Sequence, residues 1–203
     1  TTTTGDYCIS TIPYAVVTEI ENDFSDAVID AMKTPAPSQV AKFGLQMKTR
    51  FWETEDMIYG GTSATSMAGN IAYPSADLHG KDGGVLLASY LFGGRSTAFS
   101  AMNINEKIEH ALSIGENVHP GQYRANFNGK GAGIIWQDEK YNKSGWSSWG
   151  GDSIKKLPTI LKGERRVLFA GDCIAPRLSG WMAGAVEGAW LTIADLDRRV
   201  GMG

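Results

Sequence analysis

The sequence predicts a mixed α/β fold, and three observations carry that prediction. First, Arg166-Val-Leu-Phe-Ala-Gly-Asp172 holds a compact apolar run, Val167, Leu168 and Phe169, between charge and glycine. That is how a short strand covered on both faces reads. Second, no proline or turn cluster interrupts the stretch from Trp181 to Gly201, where Val186, Trp190 and Ile193 recur at helical spacing. Third, Val40 to Lys48 alternates, with Val40, Lys42, Gly44, Gln46 and Lys48 on one parity and Phe43, Leu45 and Met47 on the other. Gly83-Gly-Val-Leu-Leu-Ala-Ser-Tyr90 reads as a further buried strand.

The C-terminal strand and helix form a ligand-binding pattern. Gly171 ends the strand and lets backbone approach a neighbour closely. Asp172 falls at the strand's C-terminal edge, where α/β sheets hold their ligands. Gly184, Ala185, Gly188 and Ala189 keep one side of the following helix small. Free amides at its N-terminus suit an anionic or carbonyl-bearing ligand.

The remaining elements follow in order. Asp6 to Pro13 reads as a strand ended by proline, and Tyr14 to Ile20 continues apolar. Asp23 is the expected N-cap of a helix that stops before Pro35-Ala-Pro37. Asn105 to Ile114 is an amphipathic helix with Ile104, Ile108, Ala111 and Leu112 on one side. Ile134-Ile-Trp136 reads as a short strand, and Trp146 and Trp149 fall in a Gly/Ser-rich loop. Ser153 to Leu161 reads as a helix broken around Pro158.

Composition narrows the function. A net charge of −3 over 203 residues gives no electrostatic case for nucleic acid or an anionic membrane. No apolar run is long enough to span a bilayer. Cys8 and Cys173 form no metal or redox spacing, and each is expected as a small buried thiol within a strand. His79, His110 and His119 are scattered, so surface or loop positions and no metal site are expected. Thr1 to Thr4 carry no initiator Met and no signal-peptide pattern, and a strand follows almost at once. A processing product or fragment is expected, in a compartment left open between cytoplasmic and secreted.

The C-terminal stretch, with Gly180-Trp-Met-Ala-Gly-Ala-Val-Glu-Gly-Ala189, resembles the C-terminal signature of the FAD-dependent flavin amine oxidase superfamily. Members show a strand ending in Ala-Gly-Glu, a spacer, Gly-Trp or Gly-Tyr, and a Gly-Ala-Val-Glu helix. Asp172 stands here where they have Glu. Phe51-Trp-Glu53, Tyr59-Gly-Gly-Thr62 and Asn70-Ile-Ala-Tyr-Pro74 resemble the L-amino-acid oxidase branch. The resemblance implies the C-terminal part of a two-domain fold. Residues 1–33 would lead out of an FAD domain, 34–162 would form a mixed-sheet substrate domain, and 163–203 would complete a Rossmann-like FAD domain. That FAD domain shows no obvious core of its own.

A dinucleotide-binding Gly-x-Gly-x-x-Gly fingerprint is missing, since the run from Gly129 to Gly133 precedes a strand instead of opening a helix. A separate N-terminal chain carrying that fingerprint is therefore the expected partner, in a hetero-oligomer with a dimer of heterodimers as one arrangement.

The resemblance also assigns roles. Lys42 would hold a water near flavin N5 and assist reoxidation by dioxygen. Trp136 would lie beside the flavin ring. Trp146 and Trp181 would be the two walls of an aromatic cage, and Tyr90 would hydrogen-bond a substrate carboxylate. Lys42 and Trp181 are thus the expected catalytic residues, and Tyr90, Trp146, Gly180 and Trp181 the expected substrate contacts. Trp136, Gly171, Asp172, Gly180, Trp181, Met182 and Ala185 would bind FAD. Gly145 stands where some members have a flavin-bonding Cys, so FAD would be non-covalent.

The activity this implies is FAD-dependent oxidative deamination of an L-amino acid by dioxygen, giving a 2-oxo acid, ammonia and hydrogen peroxide. Alternatives are a flavin amine oxidase for substrates without a carboxylate, an amino-acid 2-monooxygenase, and a flavin-free fragment that binds a partner.

Overall fold

The computed structural model describes residues 2–67 and 69–201. In chain order the elements are β1 (Cys8–Ser10), α1 (Tyr14–Val17), α2 (Asp26–Lys33), β2 (Ala36–Pro37), β3 (Val40–Met47) and α3 (Phe51–Thr54). Then come β4 (Thr62–Thr65), β5 (Gly69–Ala72), β6 (Gly84–Phe92), α4 (Gly94–Ser100), α5 (Ile104–Val118), α6 (Tyr123–Asn126) and β7 (Phe127–Ile135). The chain closes with β8 (Ser147–Ser148), α7 (Leu157–Lys162), β9 (Val167–Phe169) and α8 (Met182–Gly201). Two compact units result, one of Thr1–Ser38 with Glu139–Gly203 and one of Gln39–Asp138.

The Gln39–Asp138 unit is built on a five-stranded sheet in the order β4-β5-β6-β3-β7. All its pairings are antiparallel. The alternation in β3 sends Phe43, Leu45 and Met47 into the core and leaves Lys42, Gly44 and Gln46 half-buried on the other face. Phe51, Trp52, Leu86, Leu91, Phe99, Ala111 and Tyr123 complete that core. Helix α5 begins on a capping box: Asn103 accepts from the amides of Asn105 and Glu106, and Glu106 returns a bond to the Asn103 amide.

Among the described residues the unit formed by the two ends has only two-stranded sheets, β1 with β9 in parallel and β2 with β8 antiparallel. Its core gathers Tyr14, Val17, Val28, Ala31, Met32, Ile160, Phe169 and Ile174. Helix α8 is seated by a single stripe. A Cβ at Gly184 would stand 2.2 Å from the Leu178 carbonyl oxygen, and one at Gly188 would stand 2.2 Å from that of Gly171. Thr192 extends the stripe, donating its hydroxyl to the Phe169 carbonyl at 2.9 Å.

Several expectations are corrected. The two ends do have a core, because α1, α2 and α7 supply apolar residues that the strands alone lack. The compact middle unit runs over Gln39–Asp138, and residues 139–162 cluster with the ends through the β2–β8 pairing and the α2–α7 contact. Ser25, not Asp23, stands at the N-cap of α2, and Asp23 instead pairs with Arg165 at 2.7 Å. The glycine run 129–133 lies inside β7, where Gly131 and Gly133 accept the close approach of Phe43. Ile104 is half exposed at the start of α5 and does not face the core. Cys8 is exposed, and Cys173 lies in a 3₁₀ turn after β9 instead of a strand.

Candidate functional site

The residues singled out by sequence fall into two clusters, one in each unit. In the Gln39–Asp138 unit, strand pairing sets Lys42 opposite Tyr90. The Lys42 ammonium lies 4.8 Å from the centre of the Tyr90 ring, within cation–π range. Both belong to the half-buried face of the sheet, away from the core. Burial raises the Tyr90 hydroxyl above the ordinary phenol value, so it stays a donor. Among the described residues that hydroxyl has no hydrogen-bond partner. Gly69, at φ +69°, lets β5 cross here, because a Cβ would stand 2.1 Å from the Tyr90 carbonyl oxygen.

Trp136 follows β7 in a 3₁₀ turn, half-buried. The turn is pinned by Gln137, whose side-chain carbonyl accepts the Val40 amide at 2.9 Å and whose amide group donates to Ser96 at 2.9 Å. Ser96 is fully buried. Neither Gln137 nor Ser96 carries a sequence signal beyond its type.

In the unit of the two ends, the Asp172 carboxylate accepts the Gly180 amide at 2.6 Å and closes the loop between β9 and α8. Gly180 has φ +84°, and a Cβ there would stand 3.3 Å from the Trp146 ring. Trp146 is held in turn by its indole N–H to Ser148 at 3.0 Å and by its carbonyl, which accepts the Ser38 amide at 2.8 Å. Gly145, Trp146, Asp172, Gly180, Trp181, Met182 and Ala185 line one open recess of about 240 Å³. A second recess of about 160 Å³ shares Gly145, Trp146 and Asp172 and reaches Gly171, at φ +128°. It opens at the C-terminal ends of the parallel strands β1 and β9. The amides of Met182 and Ala183, in the first turn of α8, lack intrahelical acceptors. Indole rings, glycines at positive φ and free amides together suit a flat ring system carrying polar or anionic substituents, as a flavin dinucleotide does.

The structure thus brings Trp146, Gly180, Trp181, Asp172, Met182 and Ala185 together, and separately pairs Lys42 with Tyr90. Phe51-Trp-Glu53 and Tyr73 have architectural roles. Phe51, Trp52 and Glu53 are all buried, and the Arg50–Glu53 ion pair at 2.5 Å is buried with them. Tyr73 belongs to a chain that also corrects the expectation for His119, which is buried. His119 Nδ1 meets Asp56 at 2.7 Å, its Nε2 meets the Tyr73 hydroxyl at 2.6 Å, and Ser63 lies 2.8 Å from that hydroxyl. A ring protonated on Nδ1 satisfies both contacts. Among the described residues no group of His, Cys, Asp and Glu could hold a metal ion, and no helix is long and apolar enough to cross a membrane.

Comparison with known proteins bears on this geometry. The family model described as flavin containing amine oxidoreductase matches residues 1–195. An L-amino-acid oxidase of Neurospora crassa is 27% identical over 201 residues, 90% of this chain and 28% of its own length. The flavin-dependent L-tryptophan oxidase RebO of Lentzea aerocolonigenes is 23% identical over 202 residues, 95% of this chain and 42% of its own. The chain therefore spans less than half the length of these relatives. Wild-type putrescine oxidase bound to putrescine superimposes with a TM-score of 0.78 at 16% identity, over 94% of this chain and 42% of that one. At that identity the likeness shows the fold alone, and the mixed α/β architecture is that of a flavin amine oxidase. The chain belongs to the flavin containing amine oxidoreductase family.

Proposed function

We propose that the chain works as part of an FAD-dependent L-amino-acid oxidase, joined to a polypeptide that carries the Gly-x-Gly-x-x-Gly half. The observation that carries this reading is the Lys42–Tyr90 pair on the open face of the sheet. Tyr90 offers a protonated, unpartnered hydroxyl, and Lys42 holds a cation beside it, a combination suited to a carboxylate. Lys42 is also the residue we assign to the reaction with dioxygen, where a fixed cation stabilises developing negative charge.

Gly171, Asp172, Gly180, Trp181, Met182 and Ala185 would hold the cofactor. Gly145 offers no thiol, so binding would be non-covalent. A flavin held there would supply the redox chemistry, a two-electron oxidation of the substrate amine with dioxygen as final acceptor, and with water the products would be a 2-oxo acid, ammonia and hydrogen peroxide.

A second reading, oxidation of an amine without a carboxylate, is favoured by Trp146 and Trp181 lining one recess, where two aromatic faces could guide a cationic amine.

Tyr90→Phe separates the two in the assembled flavoprotein. Loss of a charge-assisted bond of about 1.5–3 kcal/mol should weaken amino-acid affinity roughly ten- to a hundredfold. Oxidation of the matching decarboxylated amine should stay unchanged, and so should the melting temperature. A wild type that prefers the amine would defeat the leading reading. Parallel loss of both activities with a large drop in stability would make Tyr90 a packing residue.

A further inference from the structure

Three segments of the Gln39–Asp138 unit meet at helix α4. The helix directly follows β6, the strand of Tyr90. Gln39 precedes β3, the strand of Lys42, and the 3₁₀ turn Trp136–Asp138 follows β7. Ser96, Thr97 and Ser100 of α4 tie these segments together through their hydroxyls. Ser96 accepts from the Gln137 amide group at 2.9 Å, Thr97 donates to the Gln39 side-chain carbonyl at 2.8 Å, and Ser100 donates to the Asp138 carboxylate. The Gly93 amide adds a bond to the Gln39 backbone carbonyl at 3.0 Å.

Gln137 is central for a reason that lies in the ladder. Strand β7 pairs with β3 as far as Ile135 opposite Ala41, and there the chain turns off at Trp136. The next residue of β3 is Val40, which is buried, so its amide needs an acceptor that β7 does not supply. The Gln137 side-chain carbonyl supplies it at 2.9 Å, while the Gln137 amide group is anchored on Ser96, itself fully buried. A side chain thus replaces one rung of the sheet. Val40 is two residues from Lys42 on the same strand, and β6 sets Phe92 opposite Val40 and Tyr90 opposite Lys42. A lysine stem has many rotamers, so the resting place of its ammonium depends on where the backbone holds its base.

We propose that Gln137, anchored on Ser96, is a positioning residue: by completing the β3 ladder at Val40 it holds Lys42 over Tyr90 and keeps that pair set for a substrate carboxylate. This rests on the amino-acid reading above and adds the residue through which the pair is held.

Nuclear magnetic resonance of the full chain carrying isotope-labelled lysine reads Lys42 directly. Its ε-methylene, close to the Tyr90 ring, should lie upfield of the other lysines, and the signal missing from Lys42→Arg assigns it. Gln137→Met keeps the length of the side chain and removes both polar groups. The displacement should then disappear, while signals of the core residues Phe43 and Leu86 stay in place. Gln137→Glu keeps an acceptor at the same reach, which the Val40 amide and the Ser96 hydroxyl can both satisfy, and should restore the displacement. In the assembled flavoprotein Gln137→Met should raise KM for the amino acid roughly tenfold with kcat unchanged, as expected when uniform binding is lost. Where Gln137→Met fails to fold, Ser96→Ala is read in its place and should also move the Lys42 signal toward the other lysines. A wild-type Lys42 signal without displacement, a displacement that survives in these variants, or a Gln137→Glu chain no better than Gln137→Met overturns the proposal. So does loss of signal dispersion throughout the core in both Gln137→Met and Ser96→Ala, which would make the contact a packing element. The resonance readout needs neither flavin nor substrate. A displacement that responds as expected, in an enzyme that oxidises amines and no amino acid, leaves the positioning role standing and defeats the carboxylate reading.

Discussion

In the Gln39–Asp138 unit five strands share one sheet, and Phe43, Leu45, Met47, Phe51, Trp52 and Phe99 are all buried against it. In the unit of the two ends the sheets stop at two strands, and Trp190, Met182 and Val186 stand in solvent. Both units have a core, so the difference does not lie in hydrophobic content. It lies in how far each unit's elements cover one another: the middle unit's five strands form one open sheet, with β4 and β7 outermost, over a single core, whereas the other unit has two-stranded sheets among the described residues and one apolar face of α8 exposed. Stability of the first should therefore depend on its interior alone, and that of the second on what is bound to it.

The strongest way to break the middle unit is through its buried ion pair. Arg50 and Glu53 have side chains exposed by only 5% and 2%. Glu53 also accepts the His79 amide at 2.8 Å. The Arg50 hydrogen bond first, and the His79 amide after it, hold the Glu53 carboxyl below the usual range. A depressed carboxyl contributes stability that is present above its unfolded value, about 4.3, and lost as pH falls through the folded one. Unfolding of this unit should thus steepen below about pH 4. Glu53→Gln leaves Arg50 buried without a counter-charge, and the unit's melting temperature should drop by about 10 °C or more. Near-ultraviolet circular dichroism reads this, since Trp52 lies in the same core. The Arg124–Glu109 pair is the contrast. Arg124 pulls Glu109 down to about 2, yet the two side chains are 50% and 59% exposed, and solvent screens the pair. A Glu53→Gln protein that melts with the wild type would remove the buried pair from the account.

The seat of α8 is the next lever, and its effect should be smaller. Gly→Ala within a helix ordinarily gains about 1 kcal/mol. At Gly188 the new methyl would meet the Gly171 carbonyl oxygen at 2.2 Å, and backbone cannot rotate away as a side chain can. The cost of such overpacking, about 1–3 kcal/mol, should exceed the gain. Gly188→Ala is expected to lower the melting of the end-derived unit by a few degrees and leave the middle unit unmoved. An increase in stability would mean that α8 is free to shift on its stripe.

How much of this was legible follows the same division. Strands β3, β6 and β9 and helices α5 and α8 could be read because each carries a clean period or an uninterrupted run. The convergence of Asp172, Gly180 and Trp181 on one recess could be read too, because a single short stretch supplies all three. Strand β7 could not be read in full, since Gly129, Gly131 and Gly133 look like a loop until Phe43 is known to need the space at Gly131 and Gly133. Buried His119 was hidden because its partners Asp56, Tyr73 and Ser63 are distant in sequence. Gln137 was hidden for the same reason, being defined by contacts with Val40 and Ser96. The outer stripe of α8 was visible as spacing, but spacing does not tell a buried face from an exposed one.

The mildest probe of the comparison uses the two cysteines, both in the end-derived unit. Cys8 is exposed on β1, the strand with the free edge. Cys173 is partly buried, and desolvation pushes its thiol up to about 11. Only the thiolate reacts with a maleimide, and at pH 8 a thiol titrating near 11 is about one-thousandth ionised. One equivalent per chain should therefore react quickly at Cys8 and the second slowly, with the slow phase accelerating as pH rises toward 11. Equal rates at the two positions in the isolated chain would show that the 3₁₀ turn after β9 opens readily.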